Sequence, residues 1–212
     1  MKALKPRAFG LAFALLGAVG VWTPSLRADV ITFDDLTFSS LDEAIPNGYS
    51  GLNWSNFGVI NTADAFSEIG ANGYTNGTVS GTNVAFNENG TAAAVSDGDF
   101  TFNSAYFTAA WNTGLTITVV GKEGGVTVDT TSFVVNTTGP TLETFNWTGI
   151  DELDFSSSGG TNAGYNGSGT QFAMDNMSIN SVPEPSTLPL VVAALIGAAV
   201  LVKSRRFAHR QS

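Results

Sequence analysis

The chain has 212 residues, no cysteine and a formal net charge of −9, but its charges are unevenly placed. All but one of the 18 acidic residues and only one of the 9 basic residues, Lys122, lie within residues 29–181, whose net charge is therefore 1 − 17 = −16. This charge excludes nucleic-acid binding, which needs clusters of Lys and Arg. The chain has no cysteine, and its one histidine is His209, outside these residues. Thiol catalysis, His-ligated metals and a Ser-His-Asp triad are therefore excluded for the domain.

The first residues have the three zones of a secretory signal peptide. Basic residues between positions 2 and 7 are followed by an uncharged apolar stretch at residues 8–21 and by a cleavage site that ends on the small residue Ala28. We therefore predict that the protein is exported and that residues 1–28 are removed. An uncleaved N-terminal anchor is the alternative, although the apolar stretch is short for a membrane span.

Residues 29–181 have the length of one domain, and short apolar runs alternate there with turn residues. Leu115, Ile117 and Val119 fall on one face of their run and threonines on the other, which is the period of a half-buried strand. Turn residues separate the runs. The pattern predicts about nine strands, at residues 30–33, 52–57, 83–86, 100–108, 115–120, 126–135, 141–147, 153–157 and 171–180.

These strands, without an amphipathic helix or an internal repeat, predict an all-β fold, an antiparallel β-sandwich. Two polar stretches, residues 72–82 and 156–170, are interpreted as long loops that either fill the surface or bind a ligand. Tyr49, Trp54 and Trp111 have polar neighbours and are candidates for stacking on sugar rings. The alternative is that these rings belong to the core, as most strand aromatics do.

Acidic residues occur near both ends of the domain, Asp34 in Ile31-Thr-Phe-Asp-Asp-Leu36 and Asp175 in the last predicted strand. Regular alternation would place Asp175 on the same face as Met177 and Ile179. A carboxylate on an apolar face is costly unless a cation or several hydrogen-bond donors meet it. Because Lys122 is the one basic residue of the domain, a metal ion is the simpler partner.

The two end segments resemble those of extracellular jelly-roll modules of the galactose-binding-like, carbohydrate-binding type. The resemblance implies a jelly-roll-like sandwich that associates with polysaccharide. It also implies a structural calcium ion, held by acidic residues at the two ends. The residues of this chain that match are Asp34, Asp35, Asp175 and Asn176. The alternative is that they are solvated turn residues, with a strand bulge that exposes Asp175.

The C-terminal segment, residues 182–212, combines three features in a fixed order. An uncharged apolar run at residues 187–202 precedes a basic end at residues 203–212, which predicts a transmembrane helix with its basic end in the cytoplasm. A buried helix of the domain is the alternative, but such a helix should carry a polar stripe. The motif before the apolar run is Val182, Pro183, Glu184 and Pro185.

Together, motif, helix and basic end closely resemble the PEP-CTERM sorting signal. The resemblance implies recognition by an exosortase-type membrane transpeptidase, followed by removal of the tail. The protein would then be membrane-anchored before processing and located at the cell surface or in the extracellular matrix afterwards.

Three functions remain open for the domain. The leading hypothesis is a non-catalytic surface or matrix protein whose sandwich associates with exopolysaccharide, and the second is a structural or adhesive protein without a specific sugar. The third is a glycoside hydrolase or lyase, which would need two carboxyl groups about 5–9.5 Å apart across a cleft. The acidic residues that are close in sequence are interpreted as turn residues: Asp97, Asp99, Asp151, Glu152 and Asp154.

Overall fold

The computed structural model describes residues 28–181, so the predicted sorting tail and, apart from Ala28, the predicted signal peptide lie outside the described residues. Within this part, no helix is both long and apolar enough to cross a membrane. The elements are β1 (Asp29–Ile31), β2 (Asp42–Ala44), β3 (Asn53–Ser55), β4 (Phe57–Asn61), α1 (Thr62–Ile69), α2 (Gly73–Asn76), β5 (Asn83–Asn87), β6 (Ala93–Ala109), β7 (Asn112–Glu123), β8 (Val126–Val135), β9 (Thr141–Asn162) and β10 (Phe172–Ser181).

The strands pair in the order β2-β4-β5-β10-β6-β9-β7-β8, with β1 beside β10 and β3 beside β6. Every pair is antiparallel. The antiparallel all-β fold that the sequence predicts is confirmed. The sequence did not predict β2, which is short and exposed.

Strands β6 and β9 are long because they pair with each other in two separate runs. Residues 93–96 of β6 pair with residues 152–155 of β9, whereas residues 100–107 pair with residues 141–150. A register shift between Ser96 and Phe100 separates the two parts. Such bulges bend strands, so the sheet folds over a core instead of remaining flat.

The core that the bent sheet encloses is built largely from phenylalanine. Phe57 of β4 contacts Phe155 of β9 edge to face, with ring centroids 5.4 Å apart, and Phe107 of β6 contacts Phe133 of β8 at 5.0 Å. Phe57, Phe107 and Phe155 are at most 1% exposed. Aromatic pairs in this geometry add to the stabilisation from buried area, and they join strands distant in the sheet order.

Helices α1 and α2, which the sequence did not predict, cover a second, smaller core. The side-chain Oδ1 of Asn61 accepts hydrogen bonds from the backbone N–H groups of Ala63 at 3.1 Å and Asp64 at 3.2 Å, so Asn61 caps α1. Asn72 caps α2 in the same way. Helices of eight and four residues are too short to show a clear 3.6-residue period.

Asp151, Glu152 and Asp154 lie in β9, and the last two pair with Lys122, so the interpretation of these residues as turn residues is wrong. Lys122 Nζ lies 2.7 Å from Glu152 Oε1 and 2.5 Å from Asp154 Oδ2. Hydrogen bonds to Asp154 and Glu152 raise the pKa of Lys122 above its ordinary value. Asp151 also lies in β9 and accepts a hydrogen bond from the backbone N–H of Gly124 at 2.7 Å.

The net charge of −16 makes the stability of the domain salt-dependent. Repulsion between like charges at the surface is screened within about 8–10 Å at moderate ionic strength. We expect this gain to exceed the weakening of the half-buried Lys122 ion pairs. We expect the melting temperature of the full-length protein to rise from low to moderate salt. Thermal melts across ionic strength check this, and a flat or falling melting temperature would contradict it.

Candidate functional site

A bulge in β10 places Asp175 away from the main core. Asn176 has a φ of 48°, and the register with β6 shifts between Asp175 and Ser178. Met174 and Met177, on either side of the bulge, both belong to the main core cluster. The expectation from regular alternation, that Asp175 shares the face of Met177, is therefore wrong because the bulge interrupts the period of two.

Asp175 is nevertheless fully buried, and backbone groups satisfy its charge. Its Oδ2 accepts hydrogen bonds from the N–H groups of Val79 at 2.7 Å and Ser80 at 3.1 Å, and its Oδ1 accepts one from the N–H of Asn176 at 2.7 Å. Burial raises the pKa of Asp175, the negative charge of Asp34 adds to this, and the three N–H donors oppose it. Buried carboxylates with several backbone donors are stably held.

Asp34 binds the other end of the same loop. Its Oδ1 accepts hydrogen bonds from the N–H groups of Thr82 at 2.8 Å and Asn83 at 3.1 Å. The Ser80 hydroxyl donates to Asn176 Oδ1 at 2.6 Å, and its Oγ lies 3.4 Å from Asp34 Oδ2. We call Asp34, Asp175 and Asn176 the clasp, because together they fix residues 79–83.

Only glycine fits at the centre of the clasped loop. Gly81 has a φ of +51°, and a Cβ at this position would lie 2.0 Å from Asp34 Oδ1. A larger residue would strain the backbone and displace the Asp34 carboxylate from its N–H donors. The loop and the carboxylate are therefore fitted to each other.

Three of the four predicted calcium ligands meet in the clasp, and the fourth does not. Asp35 Oδ1 accepts a hydrogen bond from the Tyr49 hydroxyl at 2.6 Å. Burial, and then this bond to Asp35, raise the pKa of Tyr49. Asp35 therefore fixes Tyr49 over the core and does not contribute to the clasp.

The clasp oxygens face hydrogen-bond donors. The N–H groups of Val79 and Ser80 donate to Asp175, and those of Thr82 and Asn83 donate to Asp34. A cation would need carboxylate oxygens that are free to coordinate it. Over residues 28–181, no group of three or more His, Cys, Asp or Glu side chains is arranged to hold a metal ion. Backbone donors therefore account for the burial of Asp175 without a metal, and calcium stays a prediction.

A polar cleft of about 270 Å³ lies beside the clasp, with Asp34 in its wall. Its walls come from the segment after β1, the β4–α1 junction and the start of β5. A smaller, more apolar depression of about 120 Å³ lies on the other side of residues 36–38. The residues that line the polar cleft are Asp34, Leu36, Thr37, Phe38, Asn61, Asp64, Thr82 and Asn83.

Hydrogen bonds fix the amide groups in the cleft wall. Asn61 Nδ2 lies 3.3 Å from both Thr82 Oγ1 and Asn83 Oδ1, and Asn83 Nδ2 donates to the carbonyls of Phe33 and Leu36 at 3.0 Å each. The positions of these side chains are thus determined by the fold. A wall that is already ordered does not lose side-chain entropy on binding.

The cleft also holds exposed groups that are available to a ligand. Asp64, Thr37 and Thr82 are exposed, and Phe38 is half-buried against the main core. Asn61, Asp64, Thr82 and Phe38 were not predicted from the sequence as site residues. The helix cap at Asn61-Thr-Ala-Asp64 is the sequence signal that could have located this edge of the cleft.

The predicted sugar-stacking aromatics lie outside the cleft. Trp54 is 5% exposed in the main core, and Trp111 is 7% exposed in the second core. Neither indole presents a face to solvent, which agrees with the interpretation of these rings as core residues. Tyr49 is partly buried and contacts Phe33 and Trp54.

The chain matches no protein-family model and no curated relative. Among solved structures, it is similar to a family 61 carbohydrate-binding module in complex with β-1,4-galactotriose, with 11% identity and a TM-score of 0.33, over 65% of this chain and 95% of that chain. It is also similar to an arabinose-bound family 51 α-L-arabinofuranosidase, with 13% identity and a TM-score of 0.41, over 73% of this chain and 26% of that chain. At this level, neither likeness establishes what this chain binds.

Proposed function

We propose that residues 28–181 form a non-catalytic carbohydrate-binding domain that takes a neutral sugar unit in the polar cleft. The observation that carries the proposal is the combination of Phe38 with exposed carboxylate and hydroxyl groups in one preformed concavity. Sugars need both kinds of partner, because their hydroxyls form hydrogen bonds while their C–H faces contact aromatic rings. Such sites are concave and largely preformed.

The negative charge of the domain favours neutral over anionic sugars. A net charge of −16 repels uronic acids and sulfated or phosphorylated polymers, and Lys122, the domain's one basic residue, is engaged by Glu152 and Asp154. A cleft of about 270 Å³ is slightly smaller than the usual range for ligand sites, which starts at about 300 Å³. Both facts favour one or two units of a neutral polysaccharide.

We propose that the domain binds sugar without catalysis, for a chemical reason. A glycosidase needs a carboxylic acid with a raised pKa beside the scissile bond. Burial raises the pKa of Asp175 and of Glu143, but neither residue lines the cleft. Two carboxylates line the cleft, Asp34 and the exposed Asp64. One oxygen of Asp34 accepts from two backbone N–H groups, so this carboxylate is held as a fixed acceptor, and we propose that Asp64 binds sugar hydroxyls. Release of reducing ends from a bound oligosaccharide would contradict this part of the proposal.

The finer assignments made from the sequence belong to the same proposal. We infer an exported protein with a jelly-roll-like sandwich, sorted through Val182-Pro-Glu-Pro185 by an exosortase-type transpeptidase and associated with exopolysaccharide. The order of signal peptide, motif, apolar run and basic end supports this inference. Intact-mass analysis of protein from the native host tests it, because the mature chain should lack residues 1–28 and most residues after Glu184. A full-length mass would refute the processing.

Substitutions in the cleft test the binding proposal. Asp64→Ala and Phe38→Ala each remove one kind of sugar contact, and we expect each to weaken binding of a neutral oligosaccharide at least tenfold, or about 1.4 kcal/mol. Asp97→Ala, an equal loss of charge in the β6 bulge, is the matched control and should leave affinity unchanged. The measurement is calorimetric titration of the full-length protein with a panel of neutral and anionic oligosaccharides.

Two results would contradict the proposal. One is unchanged affinity in both cleft variants, which would place the sugar elsewhere. The other is binding of anionic sugars in preference to neutral ones. If no member of a broad neutral panel binds, the structural or adhesive alternative replaces the proposal.

A further inference from the structure

Residues 36–38 form a ridge between the polar cleft and the smaller depression of about 120 Å³ beside it. All three residues of the ridge line both concavities. The remaining wall of the depression comes from β2, the turn after it and β4, through Glu43, Ala44, Pro46 and Val59. The two concavities are therefore neighbours on one surface, separated by a single segment of chain.

Hydrogen bonds and core contacts hold the ridge in place. The N–H of Leu36 donates to the carbonyl of Phe33 at 3.2 Å, and the carbonyl of Leu36 accepts from Asn83 Nδ2 at 3.0 Å. Leu36 and Phe38 pack against the main core, whereas Thr37 between them is exposed. A ligand that crosses the ridge therefore meets a hydroxyl group and an aromatic ring that the fold has already ordered.

Each concavity also has an exposed carboxylate beyond the ridge, Asp64 in the cleft and Glu43 in the depression. Glu43 is the cross-strand partner of Val59, so the two side chains lie on the same face of the sheet, the face of the main core. Lys122, the basic residue of the described part, pairs with residues of β9. Within residues 28–181, neither carboxylate is therefore neutralised by an ion pair.

The same kinds of contact thus occur on both sides of the ridge. Each side offers a carboxylate to hydroxyl groups, and both sides offer Phe38 to C–H groups. The depression adds the apolar side chains of Leu36, Pro46 and Val59. A neutral polysaccharide repeats one unit with hydroxyl groups and apolar faces, so two consecutive units can meet equivalent partners on the two sides. A single sugar occupies only one of them.

We propose that the depression is a second sugar subsite, so that the domain binds two linked units of a neutral polysaccharide across the ridge. This inference rests on the proposed binding in the polar cleft and extends it from one unit to a chain. Asp64 binds hydroxyls of one unit, Glu43 binds hydroxyls of the next, and Phe38 contacts both. Because the second unit is tied to the first, it binds at a high effective concentration. The domain therefore selects the polymer over its free monomer.

A series of sugars of increasing length tests the second subsite. The full-length protein is titrated with glucose, galactose and mannose and with linear oligomers of each. We expect the affinity to rise at least about tenfold from the single unit to the trimer. Glu43→Ala should reduce this rise to about threefold or less, or about 0.65 kcal/mol, and leave the affinity for the single unit unchanged.

Asp42→Ala is the matched control. It removes the same charge from an exposed position of the same strand. Asp42 pairs with Ile60 of the second core and lines neither concavity, so this variant should bind the whole series as the wild type does. Circular dichroism melts establish that both variants are folded.

The possible outcomes separate this inference from the proposed function. If the wild-type affinity is independent of chain length, the second subsite is overturned while binding in the cleft stands. Equal effects of Glu43→Ala and Asp42→Ala, or a loss with Glu43→Ala that is as large for the single unit as for the trimer, would also overturn it. If no neutral sugar of any length binds, the proposed function fails, and this inference fails with it.

Amide NMR spectra of the wild-type protein give a second readout that needs no variant. The trimer should shift the backbone amides of Glu43 and Val59, in the depression, together with that of Thr82, in the cleft. All three shifts should follow one Kd, because one molecule fills both sides. Shifts of Thr82 without shifts in the depression, or shifts with two different Kd values, would overturn the second subsite.

Discussion

Asp175→Ala is expected to lower the free energy of unfolding by roughly 3–5 kcal/mol, because each buried N–H left without an acceptor costs about 1–3 kcal/mol. The substitution leaves the N–H groups of Val79, Ser80 and Asn176 without their carboxylate acceptor. It also opens a small cavity, because Asp175 is fully buried. Urea unfolding of the full-length protein measures the change through the midpoint.

Asp97→Ala is the control for this experiment, since Asp97 is exposed in the β6 bulge and should shift stability by no more than about 0.5 kcal/mol. A similarly small effect of Asp175→Ala would mean that the clasp does not stabilise the loop. The clasp would then not explain how a buried carboxylate is tolerated.

The same variants test the predicted calcium ion. If backbone donors alone hold Asp175, chelator leaves the wild-type melting temperature unchanged. A calcium ion bound only by the folded state would instead stabilise it by about 2.7 kcal/mol at a hundredfold excess over Kd, and Asp175→Ala would abolish that increment. A chelator-sensitive melting temperature would therefore support the calcium prediction.

Gly81→Ala is expected to destabilise the protein by roughly 2–4 kcal/mol, the sum of backbone strain and lost hydrogen bonds. The new methyl group would lie 2.0 Å from Asp34 Oδ1, so the carboxylate must leave the N–H groups of Thr82 and Asn83. These residues also line the cleft, so sugar affinity should fall as well.

Gly125→Ala separates the cost of backbone strain from the cost of the lost hydrogen bonds. Gly125 has a φ of +77°, and a methyl group added there would meet no other atom within 4 Å, so its substitution costs only the strain, about 1 kcal/mol. Unfolding of both variants in urea gives the difference. If Gly81→Ala costs no more than Gly125→Ala, the fit between loop and carboxylate is not a source of stability.

The sequence predicts the fold class because alternation is a local pattern, whereas the pairing of the first and last strands of the domain follows from the resemblance to jelly-roll modules. Alternation in Leu115–Val119 and its neighbours identified the strands, and β1 does lie beside β10. The apolar strand around Asp175 predicts that its carboxylate needs a partner, and the resemblance to jelly-roll modules adds Asp34. Together they locate the clasp, although the partners in the structure are the backbone N–H groups of Val79, Ser80, Thr82 and Asn83.

The bulges and the cleft depend on contacts between residues that are distant in sequence. Hydrophobic alternation does not predict such contacts. Bulges at residues 97–99 and at Asn176 interrupt the period of two, so β6 could not be predicted as one bent strand, nor Asp175 assigned its face. The cleft brings Phe38, Asp64 and Thr82 together through the sheet register and a helix cap. No single segment of sequence contains that arrangement.

The most direct test of the proposed function is a titration of the protein with neutral oligosaccharides, followed by amide NMR spectra. We expect the side-chain amide of Asn61 and the backbone amide of Thr82, both in the cleft wall, to shift in a saturable manner. The amides of β8, far from the cleft in the strand order, should stay unchanged. Saturable shifts confined to other surfaces, or shifts produced by anionic but not by neutral sugars, would contradict the account.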